Sequence, residues 1–507
     1  MRNKLRTALR DVRTHATIIS LFLSAWGVFL DDVINDDGIL YLRAADLLVH
    51  GEWGTAFNLY QWPFYSLLIA ITGQVTGFSL EYSAHLLNAV LAALVIACFI
   101  SLVREVGGDS KTVLAAALVV LLYPGINEYR SFINRDIGYI AFYLFSLLFF
   151  FKHLKSPRLA YAIGWTSSMF VAALFRIEGF VFLLILPLLE QWRKAATLPA
   201  RLMLMPMISV ACFALVLILA WWFSSVNIGS DRANILHGVS ILLESLWQNI
   251  VSGVSAKLTV ISEQFLNAYS REHVYVIYFS TAGTILLVES LARLTPLYAF
   301  LTGHAIYRKL IFPVDGIKYF WTWLVFLNLA ILGVFVVVKL FLTGRFPLAL
   351  SLTLMLAVPF SLIALYEKWQ ENRTKPIRTN WIFPTVVILF LLMAVDGLYS
   401  PTNKTYLKEA GIWLTDNTPA QSTLLTNNQT LMFYAARNVY SDAGRFLPSH
   451  ELDFIKNKEW QQYDYLAIRI KSEKKKQTTS LVGTLSRDPV IRFANSEGDE
   501  VLIFKVH

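Results

Sequence analysis

Apolar runs of roughly 17 to 25 residues, the length a helix needs to cross about 30 Å of hydrocarbon, recur along most of this chain and alternate with short polar connections. The pattern predicts membrane helices near 14–30, 80–103, 112–126, 136–151, 159–175, 179–191, 203–226, 274–292, 319–342, 346–366 and 381–397, about eleven in all. The run PFYSLLIAITGQVTG at 63–77 is short for a span. Opened by Pro63 and broken by Gly73 and Gly77, it is read as interfacial or re-entrant. Beyond residue 397 the pattern changes. A helical stretch from Tyr406 alternates with short apolar runs at 423–426, 465–470, 490–494 and 501–506, which predicts a small α/β unit. The expected organisation is an all-α polytopic membrane domain over 1–397, with outer loops 31–79 and 227–272, followed by an α/β domain over 398–507 outside the membrane.

Composition agrees with the pattern. With 56% hydrophobic and only 16% charged residues in 507, and a mean hydropathy of +0.53, the chain has more apolar surface than one soluble core buries. The net charge of +9 would suit a polyanion partner if it formed one face. Instead Arg104, Lys111, Lys152, Lys155, Arg158, Arg193, Arg308, Lys309, Lys368 and their neighbours crowd into alternate connections. That is the positive-inside distribution, so no nucleic-acid partner is expected. It sets the N-terminus in the cytoplasm and, with an odd number of spans, the C-terminal domain outside, periplasmic or extracellular. The leader MRNKLRTALRDVRTH and its apolar continuation lack a small-x-small cleavage site and read as an uncleaved signal anchor. Cys98 and Cys212 both fall in apolar runs and read as packing residues, not as a disulfide or metal site. The C-terminal region carries no Gly-rich phosphate loop, and KSEKKK at 471–476 reads as a solvated loop.

Candidate chemistry starts at Asn35-Asp36-Asp37-Gly38, where the first outer loop opens a helix beside Asp31 and Asp32. Such a tetrapeptide is ordinary turn and helix-start chemistry, since the backbone N–H groups of a first turn welcome a carboxylate. Adjacent carboxylates also repel, and a repelling pair where a membrane helix surfaces is a candidate for proton transfer. Arg130, Arg135, Arg176 and Arg345 fall at outer ends of predicted helices. There they either snorkel and pair with acids such as Glu128, Asp136 and Glu178, or meet an anionic headgroup with a planar, permanently charged fork. Tyr60, Trp62 and Tyr65 read first as interfacial anchors, as do Trp247, Tyr269, Arg271, Glu272 and His273 in the later outer loop.

Several motifs in order resemble a known family. The acidic pair is followed by Tyr41, an Ala-rich helix ending in LLVHGEW and the run QWPFYSLLIAITGQVTG. Next come SLEYSAHLLNAVLAALV, YPGINEYRSFINRDIGYIAFYLFSLLFFF, ALFRIEGFVFLLILPLL and GRFPLALSL. The series resembles the membrane glycosyltransferases of the type C (GT-C) fold, in the branch of the protein O-mannosyltransferases and lipid A aminoarabinose transferases (glycosyltransferase family 39-like). Residues 15 to 195 carry most of the likeness. In that branch the acidic pair is usually Asp-Glu, and Asp37 stands here where Glu is usual. His85 stands where Arg is common, Ile177 replaces Pro in the turn that keeps Arg176, Glu178 and Gly179, and Phe346 replaces Tyr after Arg345.

The resemblance implies a GT-C-type bundle and a bacterial inner-membrane enzyme that moves a sugar from a polyprenyl-phosphate donor to an envelope acceptor, a lipid, glycan or protein, among membrane lipids at the outer face. It implies Asp36 as base with Asp37 beside it, single displacement with inversion, and Arg176, Arg345, Arg135 and Arg130 toward the donor phosphate. Asp136, Glu178, Tyr41 and His85 support them. No cofactor is required, although Asp36, Asp37 and Asp136 are candidate oxygen ligands for a divalent cation. Two other readings stay open. A transporter or flippase for a lipid-linked or polyanionic substrate would place its polar residues near mid-membrane and show repeated halves, and a scaffold would leave the acidic pair idle.

Overall fold

The computed structural model describes residues 11–31, 33–193, 251–311, 315–372, 381–398, 404–437, 444–447, 457–474, 483, 485 and 487–507. The predicted helix 203–226, Trp247 and Asp32 lie outside the described residues. The described helices are α1 (Val12–Leu30), α2 (Asp36–Val49), α3 (Trp53–Leu59), α4 (Phe64–Thr76), α5 (Leu80–Glu105), α6 (Ser110–Leu121), α7 (Pro124–Asn127), α8 (Asp136–Lys155) and α9 (Leu159–Phe175). They continue with α10 (Gly179–Arg193), α11 (Val274–Leu294), α12 (Pro296–Tyr307), α13 (Asp315–Lys339), α14 (Leu348–Met355), α15 (Val358–Glu371), α16 (Ile382–Leu398), α17 (Thr405–Asn417) and α18 (Gln429–Tyr434). The strands are β1 (Leu424–Thr426), β2 (Gly444–Phe446), β3 (Tyr465–Ile470), β4 (Ile491–Ala494) and β5 (Glu500–Lys505). Six of the described segments are long and apolar enough to cross a membrane by length and composition, and four helices are apolar but shorter. The chain is thus a multi-pass membrane protein. Eleven full-length spans are not reached among the described residues.

The chain divides into two compact units: Met1–Leu23, Asn88–Tyr129 and Arg135–Leu398 in the first, and Ser24–Leu87, Arg130–Asn134 and Tyr399–His507 in the second. The first is helical, and its interior is aromatic. Tyr143, Phe150, Trp165, Phe175, Phe182 and Phe320 are fully buried, and Phe150 meets Phe320 edge-on with ring centroids 4.9 Å apart. Asn328, Tyr143 and Thr353 form a hydrogen-bonded chain inside it, as low dielectric favours. Asn328 Nδ2 donates to Tyr143 Oη at 3.0 Å, and that hydroxyl lies 3.0 Å from Thr353 Oγ1. Charge placement supports α8, whose first turn holds Asp136 and whose last turn holds Lys152, His153 and Lys155, in the sense that complements the helix dipole.

The second unit joins Ser24–Leu87 and Arg130–Asn134 to the C-terminal region. The latter is built on a five-stranded sheet of order β2-β1-β3-β5-β4. The β2, β1 and β3 strands run parallel, while β3, β5 and β4 are antiparallel, with Leu466 opposite Phe504 and Ile468 opposite Leu502. Side chains alternate between two faces with the period of two that a strand imposes. Leu425, Leu466, Ile468 and Phe504 pack with Trp460 on one face. Leu424, Ala467, Val501 and Ile503 pack with Tyr406, Leu407, Ala410 and Leu414 of α17 on the other.

Three local expectations change. The predicted helix 346–366 is broken between α14 and α15, because Pro359 has no N–H to return to the preceding turn. The expected helix 112–126 stops at Leu121, and Pro124 starts a separate turn, α7. A helix unanticipated from the pattern, α12, fills the expected connection after Arg293. Its Tyr298 hydroxyl donates to the Val119 carbonyl at 2.9 Å. Segment 63–77 is the 13-residue helix α4, roughly 20 Å long at 1.5 Å per residue and so shorter than a bilayer core.

Candidate functional site

In the first unit Arg176 ends α9 and Glu178 follows in the three-residue turn before α10. Arg176 Nη1 donates to Asp136 Oδ1 at the start of α8, and Nη2 donates to Glu178 Oε1. Its Nε also reaches Glu178 Oε1 at 3.2 Å. Arg345, just before α14, brings Nε to 3.4 Å from Asp136 Oδ2. All four side chains are largely withdrawn from solvent, from 6% exposed at Asp136 to 24% at Arg345. The Phe346 ring lies 4.6 Å from the Arg176 guanidinium carbon and 5.5 Å from that of Arg345, close enough for a cation over an aromatic face.

These residues, with Tyr139 and Asn328, line a narrow cleft of about 30 Å³. Two guanidiniums and two carboxylates give it no net charge. Burial alone would raise the Glu178 carboxyl, but the charge and hydrogen bonds of Arg176 outweigh it and hold the group below the ordinary carboxylate value. An arriving phosphate would exchange carboxylate oxygens for its own on guanidinium forks already fixed in place.

The acidic pair lies in the second unit. Asn35 is the residue before α2, and its side chain binds the Ile133 backbone twice, accepting from N at 2.9 Å and donating to O at 3.2 Å. Asp36 and Asp37 occupy the first turn of α2. Asp36 is exposed and Asp37 half-buried. Asp36 Oδ1 accepts a hydrogen bond from Thr430 Oγ1 at 3.2 Å.

The other sequence candidates are scattered. Arg130 belongs to the second unit, is 5% exposed and donates from Nη1 to Ser24 Oγ at 2.8 Å. Arg135 is half-buried at the start of α8 and is not among the residues lining the cleft. Tyr41 is buried, packed edge-on against Tyr60 and Tyr65 with ring centroids 5.4 and 5.1 Å away. Tyr65 is fully buried, so it packs in a core and is no interfacial anchor. His85 is half-buried on α5. Among the described residues no group of three or more His, Cys, Asp or Glu side chains is placed to hold a metal ion. The candidate cation ligands Asp36, Asp37 and Asp136 do not form such a group.

Two participants escaped the sequence reading. Asn328 lies inside the apolar stretch of α13, where a buried amide was itself a signal that went unused. Thr430 belongs to the six-residue α18, too short for periodicity. Its one local sign is Asn428, whose Oδ1 accepts from Leu431 N at 2.8 Å as a helix cap.

No protein-family model matches the chain, and no curated protein matches it. Solved structures do resemble it. ArnT from Cupriavidus metallidurans in the apo state is 14% identical, with 97% of each chain covered and a TM-score of 0.41. The arabinofuranosyltransferase AftD from Mycobacteria is 13% identical, with a TM-score of 0.43 over 90% of this chain. The match covers 35% of AftD, so this chain spans about a third of that protein's length.

Proposed function

We propose that the chain is a membrane glycosyltransferase that moves a sugar from a polyprenyl-phosphate donor to an envelope acceptor at the outer membrane face. The observation that carries the reading is the meeting of Arg176 and Arg345, from distant parts of the sequence, on Asp136 in one largely buried cleft. Charged side chains in a membrane protein's interior are costly and rarely idle. Two fixed guanidiniums with carboxylates as provisional partners suit an anion that comes and goes.

In the proposed reaction Asp36 removes the proton of the acceptor hydroxyl or amine. The acceptor atom forms its bond to the anomeric carbon from the face opposite the phosphate, and the bond between that carbon and the phosphate oxygen breaks with its electron pair. Configuration inverts. Polyprenyl phosphate is a competent leaving group, so the main demand is for a base, worth on the order of 10²–10⁴-fold, and for charge stabilisation on the departing phosphate by Arg176 and Arg345. Asp37 orients Asp36 or binds the acceptor. No step is routed through a cation. The enzyme is proposed to lie in a bacterial inner membrane, with the N-terminus cytoplasmic and residues 398–507 outside.

Membranes carrying the chain, supplied with native envelope acceptors and radiolabelled polyprenyl-phosphate hexoses and pentoses, test this. Labelled acceptor and released polyprenyl phosphate are expected with the wild type and not with Asp36→Asn. Near-normal turnover by Asp36→Asn would remove the base assignment. Absence of turnover with every donor would remove the transferase reading and favour transport of a lipid-linked substrate.

A further inference from the structure

We propose that Thr430, in the C-terminal α/β domain, is a positioning residue for Asp36, so that this domain completes the catalytic end of α2. The proposal rests on the reading of Asp36 as base. Its ground is geometry within one compact unit. Thr430 is 4% exposed, and its hydroxyl donates to Asp36 Oδ1 at 3.2 Å. A buried hydroxyl needs an acceptor, and this one is found on an exposed carboxylate that would otherwise sample several rotamers.

The platform under Thr430 is fixed from several directions. Asn427 accepts from Arg469 N at 2.7 Å and donates to Arg469 O at 3.0 Å, tying the end of β1 to β3. Asn428 caps α18. At the other end of α18, the Tyr434 hydroxyl accepts from Ile34 N at 3.1 Å, two residues before Asp36. The same short helix therefore holds both the backbone leading to the acidic pair and the first carboxylate of that pair. Neither Thr430 nor Tyr434 is assigned contact with substrate. Their effect runs through Asp36, and a displacement of about 1 Å at a reacting group can cost on the order of 10²-fold in rate.

The test compares the full-length wild type with Thr430→Val, Thr430→Ser and Asp36→Asn, together with the double variant of Asp36→Asn and Thr430→Val. Thr430→Val is expected to lower kcat by about 10- to 100-fold with donor KM changed less than about twofold. Thr430→Ser, which keeps the hydroxyl, should return kcat to within about threefold of wild type, and the double variant should be no slower than Asp36→Asn alone. Wild-type kcat in Thr430→Val, or equal losses in Val and Ser variants, would overturn the proposal. The contact is checked without turnover by pairing Asp36→Cys with Thr430→Cys and treating the intact protein with a short bifunctional thiol cross-linker. A cross-link is expected, and its absence overturns the proposal whatever the kinetics. If the wild type turns over no donor, the transferase reading falls and takes the kinetic role of Thr430 with it, while the cross-link still decides the contact.

Discussion

Arg176 and Asp136 form a buried ion pair across the ends of α9 and α8, with side chains 11% and 6% exposed, and Glu178 engages the other guanidinium nitrogens. Removing the cation would take the guanidinium from Glu178 and leave Asp136 to Arg345. Breaking one side of a buried pair costs about 3–5 kcal/mol, so Arg176→Ala is expected to lower the thermal unfolding midpoint in detergent as well as abolish transfer. Arg176→Lys should recover part of the stability and little of the activity, because an ammonium supplies a point charge where a planar fork spans two carboxylates. Full activity in the Lys variant would show that charge alone suffices.

A second expectation concerns the close approach that sets this pair. A Cβ built on Gly138 would lie 2.3 Å from the Phe175 ring, and Phe175 is fully buried directly before Arg176. Gly138→Ala must therefore push Phe175 or part α8 from α9, an overpacking cost of about 1–3 kcal/mol. Transfer should fall more than stability does, since Asp136 and Arg176 stand at the displaced ends. Phe175→Leu introduced with Gly138→Ala is expected to restore part of both. An unchanged rate in Gly138→Ala would mean that the helix spacing does not govern the ion pair.

What was legible in the sequence follows the range of the interactions. Helix and strand positions come from local periodicity, and α8, α9, β3 and β5 lie close to where the pattern put them. The charged residues of the Arg176 cleft were also nameable one by one. Their convergence was not, because Asp136, Arg176 and Arg345 meet through packing of helices far apart in sequence. The break before α15 was signalled by Pro359, and the reading passed over it in favour of an unbroken apolar run. Thr430 was illegible for a physical reason: its role depends on a side chain almost four hundred positions away, and nothing in TNNQTL points to one.

Acid should loosen the sheet in a definable way. Thr423 donates its backbone N–H at 2.7 Å and its hydroxyl at 3.0 Å to Asp464 Oδ2, and these bonds hold the carboxyl below its ordinary value. Burial opposes the same shift at Asp499, but the Ser472 N–H and the Arg469 guanidinium outweigh it. A carboxyl lowered on folding leaves the unfolded chain binding more protons, so its stabilisation is complete above the unfolded value near 3.9 and is lost as pH falls through the lower folded value. Hydrogen exchange of the full-length protein between pH 6 and pH 3 should show β1 and β3 amides losing protection below about pH 4. Asp464→Asn should exchange faster at pH 6 and show a shallower dependence. A steeper dependence in the variant would contradict the assignment.

The helix that carries Thr430 has its own close approach. A Cβ on Gly411 of α17 would fall 2.5 Å from Tyr434 Cβ and 2.8 Å from the Leu431 carbonyl oxygen, and neither a backbone oxygen nor a Cβ moves without its helix. Thr415 Oγ1 also donates to Tyr434 O at 3.0 Å, so α17 holds α18 by its main chain. Gly411→Ala should therefore shift α18 as a body and strain the bond from Ile34 N to the Tyr434 hydroxyl. The expected signature is faster amide exchange at Ile34 with little change at β5, on the far side of β3 from β1. Tyr434→Phe removes the acceptor hydroxyl without moving the helix. It should reproduce the change at Ile34 while leaving α17 exchange at its wild-type rate. If Gly411→Ala leaves Ile34 protected, α18 is held by its bonds to α2 and the sheet, and α17 is only a cover over its outer side.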